Sequence, residues 1–224
     1  MTESVACVIP ALDAAGTLVA VVGRLRAVLP RALVVVVDDG SADATSTAAR
    51  ECCDVLVRFS LNRGKGAALR AGTAAALERG VGSVVTMDAD GQHPPEAALS
   101  LLDALGRADI AIGSRSRTAG IMPLGRRMTN ALASAAVGAI IGSDIADSQS
   151  GFRAIRREVL ERVAARGDRY EYETDFLIQA GRAGFRIAAV PISTVYGAAS
   201  HFRTLRDSTR VVRTIWRYRA GAFR

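Results

Sequence analysis

Cysteine, histidine and tryptophan are scarce in these 224 residues, at three, two and one. Three cysteines, two of them adjacent (Cys52 and Cys53) and one inside an apolar run (Cys7), do not make a disulfide framework. They are expected as reduced, buried small hydrophobes, which implies a reducing compartment. No Cys/His cluster has zinc spacing. His93 and His201 lack a serine or cysteine partner in a triad-like context, so neither is assigned a nucleophilic role. Long hydrophobic runs are missing too. Residues 131–142 are apolar for only 12 positions, too short to span a bilayer. The apolar stretch from Val5 to Gly23 is broken by Pro10 and Asp13 and has no basic start, so it reads as strand, break and helix rather than a signal peptide.

What remains is a chain half apolar, rich in alanine and valine, with 5% aromatics. Its length and composition fit one large cytosolic α/β domain. The net charge of +7 is concentrated at one end: residues 202–224 hold seven arginines against Asp207 alone, a net of +6. Such a face meets nucleic acid, acidic lipid or water. No helix-turn-helix or zinc pattern supports nucleic acid.

Val5–Ile9 reads as a strand ended by Pro10, and residues 14–28 have helical spacing through Leu18, Val21, Val22, Leu25 and Val28. Leu33–Val37 is a continuous run largely of β-branched residues, the pattern of a strand buried on both faces. After it, "DDGSADAT" is a turn in which Ser41 or Asp43 can cap the next helix. Strands over 55–59, 83–87 and 110–113 alternate with helices over 66–79 and 94–105. Further on, helices are expected over 123–142 and 172–181, and a strand over 186–190. This alternation predicts βαβ units: an α/β, Rossmann-like, mostly parallel sheet flanked by helices. Ligands of such sheets sit beyond the carboxyl ends of the strands. Asp13, Asp38, Asp39, Asn62, Asp88 and Asp90 all follow strand ends, so they should converge on one edge.

Asp88 and Asp90 carry the strongest signal. Two carboxylates one residue apart at the end of a buried strand repel each other unless they lie in water or share a cation. Where the chain turns, both can reach one hard ion such as Mg²⁺ or Mn²⁺, which also bridges to diphosphates. Asp38 and Asp39 end the most apolar strand. One carboxylate suffices for capping, so the other is available to a base or ribose. Asn62-Arg63-Gly64-Lys65-Gly66 is neither a Walker loop nor GxGxxG, but its glycines allow close backbone approach and Lys65 offers a point charge. Arg115 and Arg153 sit in short loops after apolar runs, either on the surface or facing a phosphate.

In this order, "VIPALDA", "VVDDGSADAT", "NRGKGAAL", "MDADGQHPPE" and "SGFRAIRREVL" resemble the family 2 glycosyltransferases of GT-A fold, over residues 4–197. "NRGKG", "DADGQHPP" and "SGFR" are most similar to the polyprenyl-phosphate sugar transferases of the dolichyl-phosphate mannose synthase type. The opening departs from that family's pattern, with Asp13 for asparagine and Ala14 for glutamate.

The resemblance implies a GT-A domain over 1–203 and a basic amphipathic helix over 204–224. Asp88, Asp90 and Gln92 would be the ligands of a Mg²⁺ or Mn²⁺ ion. Pro10, Asp13, Asp38, Asp39 and Lys65 would line the site of a GDP- or UDP-sugar donor. Arg115, Arg126, Arg153 and Arg203 are candidates for donor or acceptor phosphates, and Asp90, Arg115 and Arg153 are the residues placed nearest the chemistry. The implied reaction is inverting transfer to a polyprenyl phosphate. A sugar-hydroxyl acceptor would instead need a base, for which Glu173 and Asp175 are placed. A non-catalytic nucleotide- or membrane-binding module is the rival from another class. The expected location is the cytoplasm, peripheral on the inner face of an anionic membrane. On a helix, Val211, Val212, Ile215 and Trp216 share a face flanked by arginines, as an interfacial helix requires. Otherwise that strip packs on the protein's own core or on a second copy, which leaves a homo-oligomer open.

Overall fold

The computed structural model describes residues 4–115, 124–193 and 204–219, without the side chains of 124–127 and 204–208. The order is β1 (Val5–Ala11), α1 (Leu18–Val28), β2 (Leu33–Asp38), α2 (Thr45–Cys52), β3 (Val55–Arg58), α3 (Lys65–Leu77), β4 (Ser83–Thr86), α4 (Ala98–Ala104), β5 (Ile110–Arg115), α5 (Leu124–Ile141), β6 (Arg153–Arg156), α6 (Arg157–Arg162), α7 (Glu171–Arg182), β7 (Ile187–Ile192) and α8 (Thr204–Arg219).

Seven strands form one sheet in the order β3-β2-β1-β4-β6-β5-β7. Pairing is parallel throughout except at β6, which runs antiparallel to both β4 and β5. The α/β sheet is therefore mostly parallel, and helices cover both faces. Alternate residues of each central strand enter opposite layers. Cys7, Ile9, Val34, Val36 and Val85 pack with α1 and α4, whereas Ala6, Val8, Val35, Val37 and Val84 pack with α3. Full burial of a side chain such as Ile9 contributes about 1.5–3 kcal/mol. Burial on both faces explains why β2 reads as an unbroken apolar run. All three cysteines are unpaired, Cys7 buried and Cys52 and Cys53 half-buried.

A second cluster closes the far end of the sheet. Ile110, Ile112 and Ile155 meet Val137 of α5, Phe176, Leu177 and Ile178 of α7, and Val211, Ile215 and Tyr218 of α8. The C-terminal helix thus packs against α5 and α7. This revises the expected membrane face: Val211 and Ile215 point into the protein, and Val212 and Trp216 point out.

Two helices start later than their spacing suggests. Residues 14–17 form a turn ahead of α1, where the Ala14 and Ala15 N–H groups donate to Thr45 Oγ1 (2.8 Å) and Asp43 Oδ2 (3.1 Å). Before α4 the chain makes a 3-10 turn at Pro95–Ala97, where paired prolines remove two donors.

Candidate active site

β1, β2, β3 and β4 run parallel, so the residues that follow them meet at one edge. β6 contributes its opposite end there, because it is antiparallel to β4 in the register Thr86↔Arg153. Thr86 Oγ1 donates to the Gly151 carbonyl at 2.8 Å, fixing the start of β6 beside the end of β4.

That junction holds an ionic triad. Lys65, at the first position of α3, places Nζ 2.7 Å from Asp88 Oδ1 and 3.2 Å from Glu173 Oε1 of α7. Gly64 makes this possible: at φ 104° it takes a backbone conformation that favours glycine and turns the chain into α3. Burial opposes the ammonium's charge, but Asp88 and Glu173 more than offset it, so Lys65 is held protonated above the usual lysine range. Burial likewise opposes the charge on Asp88, and Lys65 reverses the balance, leaving the carboxyl below its ordinary range. Gly151 seals the triad from the side. A Cβ there would lie 2.6 Å from Lys65 Nζ, 2.9 Å from Glu173 Oε1 and 3.1 Å from Asp88 Oδ2.

The loop after β4 turns at Gly91 (φ 72°), and Asp90 Oδ1 accepts the Gln92 N–H at 3.0 Å. Asp88, Asp90 and Gln92 are all half-buried. Among the described residues no group of three or more His, Cys, Asp or Glu converges. Two carboxylates and an amide form an all-oxygen donor set of charge −2. That suits a hard divalent ion which takes its remaining ligands from diphosphate and water, so the residues present fit Mg²⁺ or Mn²⁺. His93, set aside on sequence grounds, belongs to this wall. It is buried and stacked on Phe152 at 5.6 Å, and burial pushes its pKa down to about 4. Its Nδ1 and the Ser150 hydroxyl are buried without hydrogen-bond partners among the described residues.

The two carboxylates at the end of β2 brace loops. Asp38 is fully buried and accepts from the Ser41 N–H (2.9 Å) and the Ser46 hydroxyl, with Arg58 3.7 Å away. Both of its carboxylate oxygens are thus engaged within the protein. Asp39 accepts the N–H groups of Arg63 (2.7 Å) and Gly64 (2.8 Å), which ties the lysine loop to the end of β2. Burial raises its pKa in spite of those bonds. Asp13 is exposed, at φ 46°, and accepts the Ala42 N–H at 2.9 Å. Pro10 sits beyond the last β1–β4 pair, Val8↔Thr86, where a missing donor breaks no ladder bond to β4. Neither Ser41 nor Asp43 is the N-cap of α2, which is Ala44.

Two of the four candidate arginines hold the protein together. Arg115 forms a buried fork with Asp147, at 2.7 and 2.9 Å. Arg153 donates to the carbonyls of Ser150, Glu173 and Ser148 at 2.8, 2.9 and 2.9 Å, bracing the backbone on either side of the triad. The Arg126 side chain and all of Arg203 and His201 lie outside the described residues. Glu173 is bound by Lys65, and Asp175 accepts from Tyr218 Oη (2.7 Å), Gln179 Nε2 (2.7 Å) and the Arg166 N–H (2.6 Å). Sequence reasoning missed Asp147 and the Lys65–Glu173 link. Both depend on segments far apart in the chain, and a lone Asp in "DSQSGFR" carries no signal of its own.

Residues 6–164 match Glycosyl transferase family 2, and the chain belongs to that family. It is 36% identical over 199 residues to an undecaprenyl-phosphate mannosyltransferase of Micrococcus luteus, covering 84% of this chain and 82% of that one. Identity is also 36% over 206 residues with the polyprenol monophosphomannose synthase of Mycolicibacterium smegmatis, covering 86% and 77%. Among solved structures, glucosyl-3-phosphoglycerate synthase of Mycobacterium tuberculosis in complex with Mn²⁺ and UDP-glucose aligns with a TM-score of 0.77. The alignment covers 97% of this chain and 79% of that one at 23% identity, and it shows the common GT-A fold.

Proposed function

We propose that this glycosyltransferase moves a sugar from a GDP- or UDP-sugar to a polyprenyl phosphate, inverting the anomeric centre. The observation that carries the choice of acceptor is the pairing of Glu173 with Lys65. A sugar hydroxyl must lose a proton as it attacks, and the two carboxylates placed for that task are otherwise engaged. Glu173 is held in a salt bridge, and Asp175 accepts three hydrogen bonds. A phosphate monoester is already an anion near neutral pH and needs no base. The names of the two mannosyl transferases of similar sequence support the same reading.

In this reading a phosphate oxygen of the lipid attacks the anomeric carbon as the bond to the donor's diphosphate breaks. A single displacement inverts the centre. Asp88, Asp90 and Gln92 would hold a divalent ion, which would neutralise charge on the departing diphosphate. Lys65 keeps Asp88 ionised and in place, and Asp39 holds the lysine loop through the Arg63 and Gly64 N–H groups. Asp13 and Pro10 flank the donor's base. Arg115 and Arg153 shape the loops around the phosphates, and Arg126 and Arg203 remain the candidates for phosphate contact.

The test is a donor screen with Mg²⁺ or Mn²⁺, a polyprenyl phosphate and, in parallel, the matching alcohol. Transfer to the phosphate with none to the alcohol is the expected result. Transfer to a sugar hydroxyl, with the polyprenyl phosphate inert, would overturn it.

A further inference from the structure

We infer that α5 and α8 together form a docking face for an anionic lipid bilayer. Packing of α8 on the body of the protein leaves a narrower outer strip than its sequence suggests. Val211, Thr214, Ile215 and Tyr218 are buried, while Val212 and Trp216 are 63% and 67% exposed. The adjoining α5 repeats the pattern, with Met128 58% and Leu132 68% exposed and Ser134 and Val137 buried. Each pair is spaced i, i+4 and so lies along one face of its helix. Seven large apolar side chains are exposed among the described residues, and four of them are these, on two helices in contact. That concentration marks an interaction surface rather than scattered surface apolarity.

Charge selects the occupant. Arg213, Arg217 and Arg219 are exposed beside Trp216, and residues 209–219 contain no acidic residue. The α5 sequence contains none either, and has Arg126 and Arg127 in its first turn. A second copy docked on this face would bring two arginine rows together with no carboxylate from residues 209–219 or from α5 between them. A nucleic acid would satisfy the guanidinium groups but offer no apolar layer for Val212, Trp216 and Leu132. The interface of an anionic bilayer provides both: headgroup phosphates for arginine, and an acyl boundary for tryptophan and aliphatic side chains.

The face is also coupled to the site. Tyr218 Oη donates to Asp175 Oδ1 at 2.7 Å in a buried contact, and Asp175 lies two residues along α7 from Glu173, which holds Lys65. A helix lying on lipid would thereby set the orientation of the catalytic edge toward an acceptor in that lipid. This last step rests on the proposed polyprenyl phosphate acceptor; the docking face itself does not.

Trp216 is the single tryptophan in the chain, so its emission reports on this face alone. The experiment adds vesicles of phosphatidylcholine and phosphatidylglycerol (about 3:1), or phosphatidylcholine alone, to the full chain at low and high salt. A blue shift and co-sedimentation with the anionic vesicles, weakened by salt, are expected. Val212→Ser and Leu132→Ser should each lower vesicle partition by about fivefold to tenfold while keeping the wild-type melting curve. They should also leave unchanged the transfer to a short, water-soluble prenyl phosphate in the absence of vesicles. Unshifted emission with anionic vesicles, or partition unaffected by both variants, would overturn the inference. So would a blue shift that appears without lipid as the protein dimerises on a sizing column, or one that needs a membrane-spanning protein in the vesicle. If Trp216 shifts as expected but no prenyl phosphate is glycosylated, the docking face stands and the acceptor assignment falls.

Discussion

Lys65 Nζ sits 2.7 Å from Asp88 Oδ1, so a residue of the lysine loop after β3 directly holds the first carboxylate of the Asp-Ala-Asp motif after β4. The pair is mostly buried, and Glu173 shares the same ammonium. Removing the cation would leave two largely buried carboxylates facing each other.

Lys65→Met should therefore be damaging on two counts. Loss of one partner from a buried ionic cluster costs about 3–5 kcal/mol of stability. Repulsion between Asp88 and Glu173 would displace Asp88, with an expected fall in kcat/KM of about 100-fold or more. Urea unfolding and steady-state kinetics of the variant measure the two effects separately. Wild-type turnover in a folded Lys65→Met protein would show that the pair has no part in catalysis.

Gly151→Ala separates geometry from stability. The added methyl would meet Lys65 Nζ, Glu173 Oε1 and Asp88 Oδ2 at 2.6, 2.9 and 3.1 Å. All three atoms are tips of flexible side chains, so the fold can yield at a cost of about 1 kcal/mol. The triad cannot keep its geometry, and turnover should fall by about tenfold or more. A comparison of melting temperature with kcat decides the matter, and an alanine variant as active as the parent would count against a closed triad.

The Tyr218–Asp175 hydrogen bond, at 2.7 Å, joins the C-terminal helix to α7. Tyr218→Phe and Asp175→Asn should each destabilise by about 1–3 kcal/mol, and the double variant by less than their sum. Denaturant titration of the four proteins gives the coupling energy. Strict additivity would mean that the two groups do not interact in solution.

Asp38 gives the protein an acid-sensitive brace. Burial alone would raise its pKa, but hydrogen bonds from Ser41 and Ser46 outweigh it and hold the carboxyl below its ordinary value of 3.8. A folded value below the unfolded one means that the stabilisation is complete above about pH 4 and is lost as pH falls through the folded value. Asp38→Asn should flatten the part of the stability curve below pH 4 and lower the plateau above it. Urea midpoints measured from pH 7 to pH 3 test this, and parallel curves for the two proteins would refute it.

Much of this fold was legible in the sequence because burial leaves periodic traces. Val34–Val37 are buried on both faces of the sheet, and an unbroken β-branched run records that directly. Leu18, Val21, Val22 and Leu25 are the buried positions of α1, as their spacing requires. That Asp39 and Asp88 lie at one edge followed from parallel strands alone, since parallel order sends every strand's carboxyl end to one edge.

Other features had no local trace. The four residues of β6 carry no mark of direction, and their antiparallel placement comes from pairing with β4 and β5 on either side. The arginines read as phosphate contacts depended on partners that only folding supplies: Asp147 for Arg115, and three main-chain carbonyls for Arg153. In α8, periodicity placed Val211, Val212, Ile215 and Trp216 on one side but could not divide that side between protein and surroundings. The sequence by itself determined which residues are apolar, which are charged and how they repeat along each element. Tertiary structure decided which charges neutralise one another and which apolar side chains stay uncovered, because both depend on contacts between residues far apart in the chain.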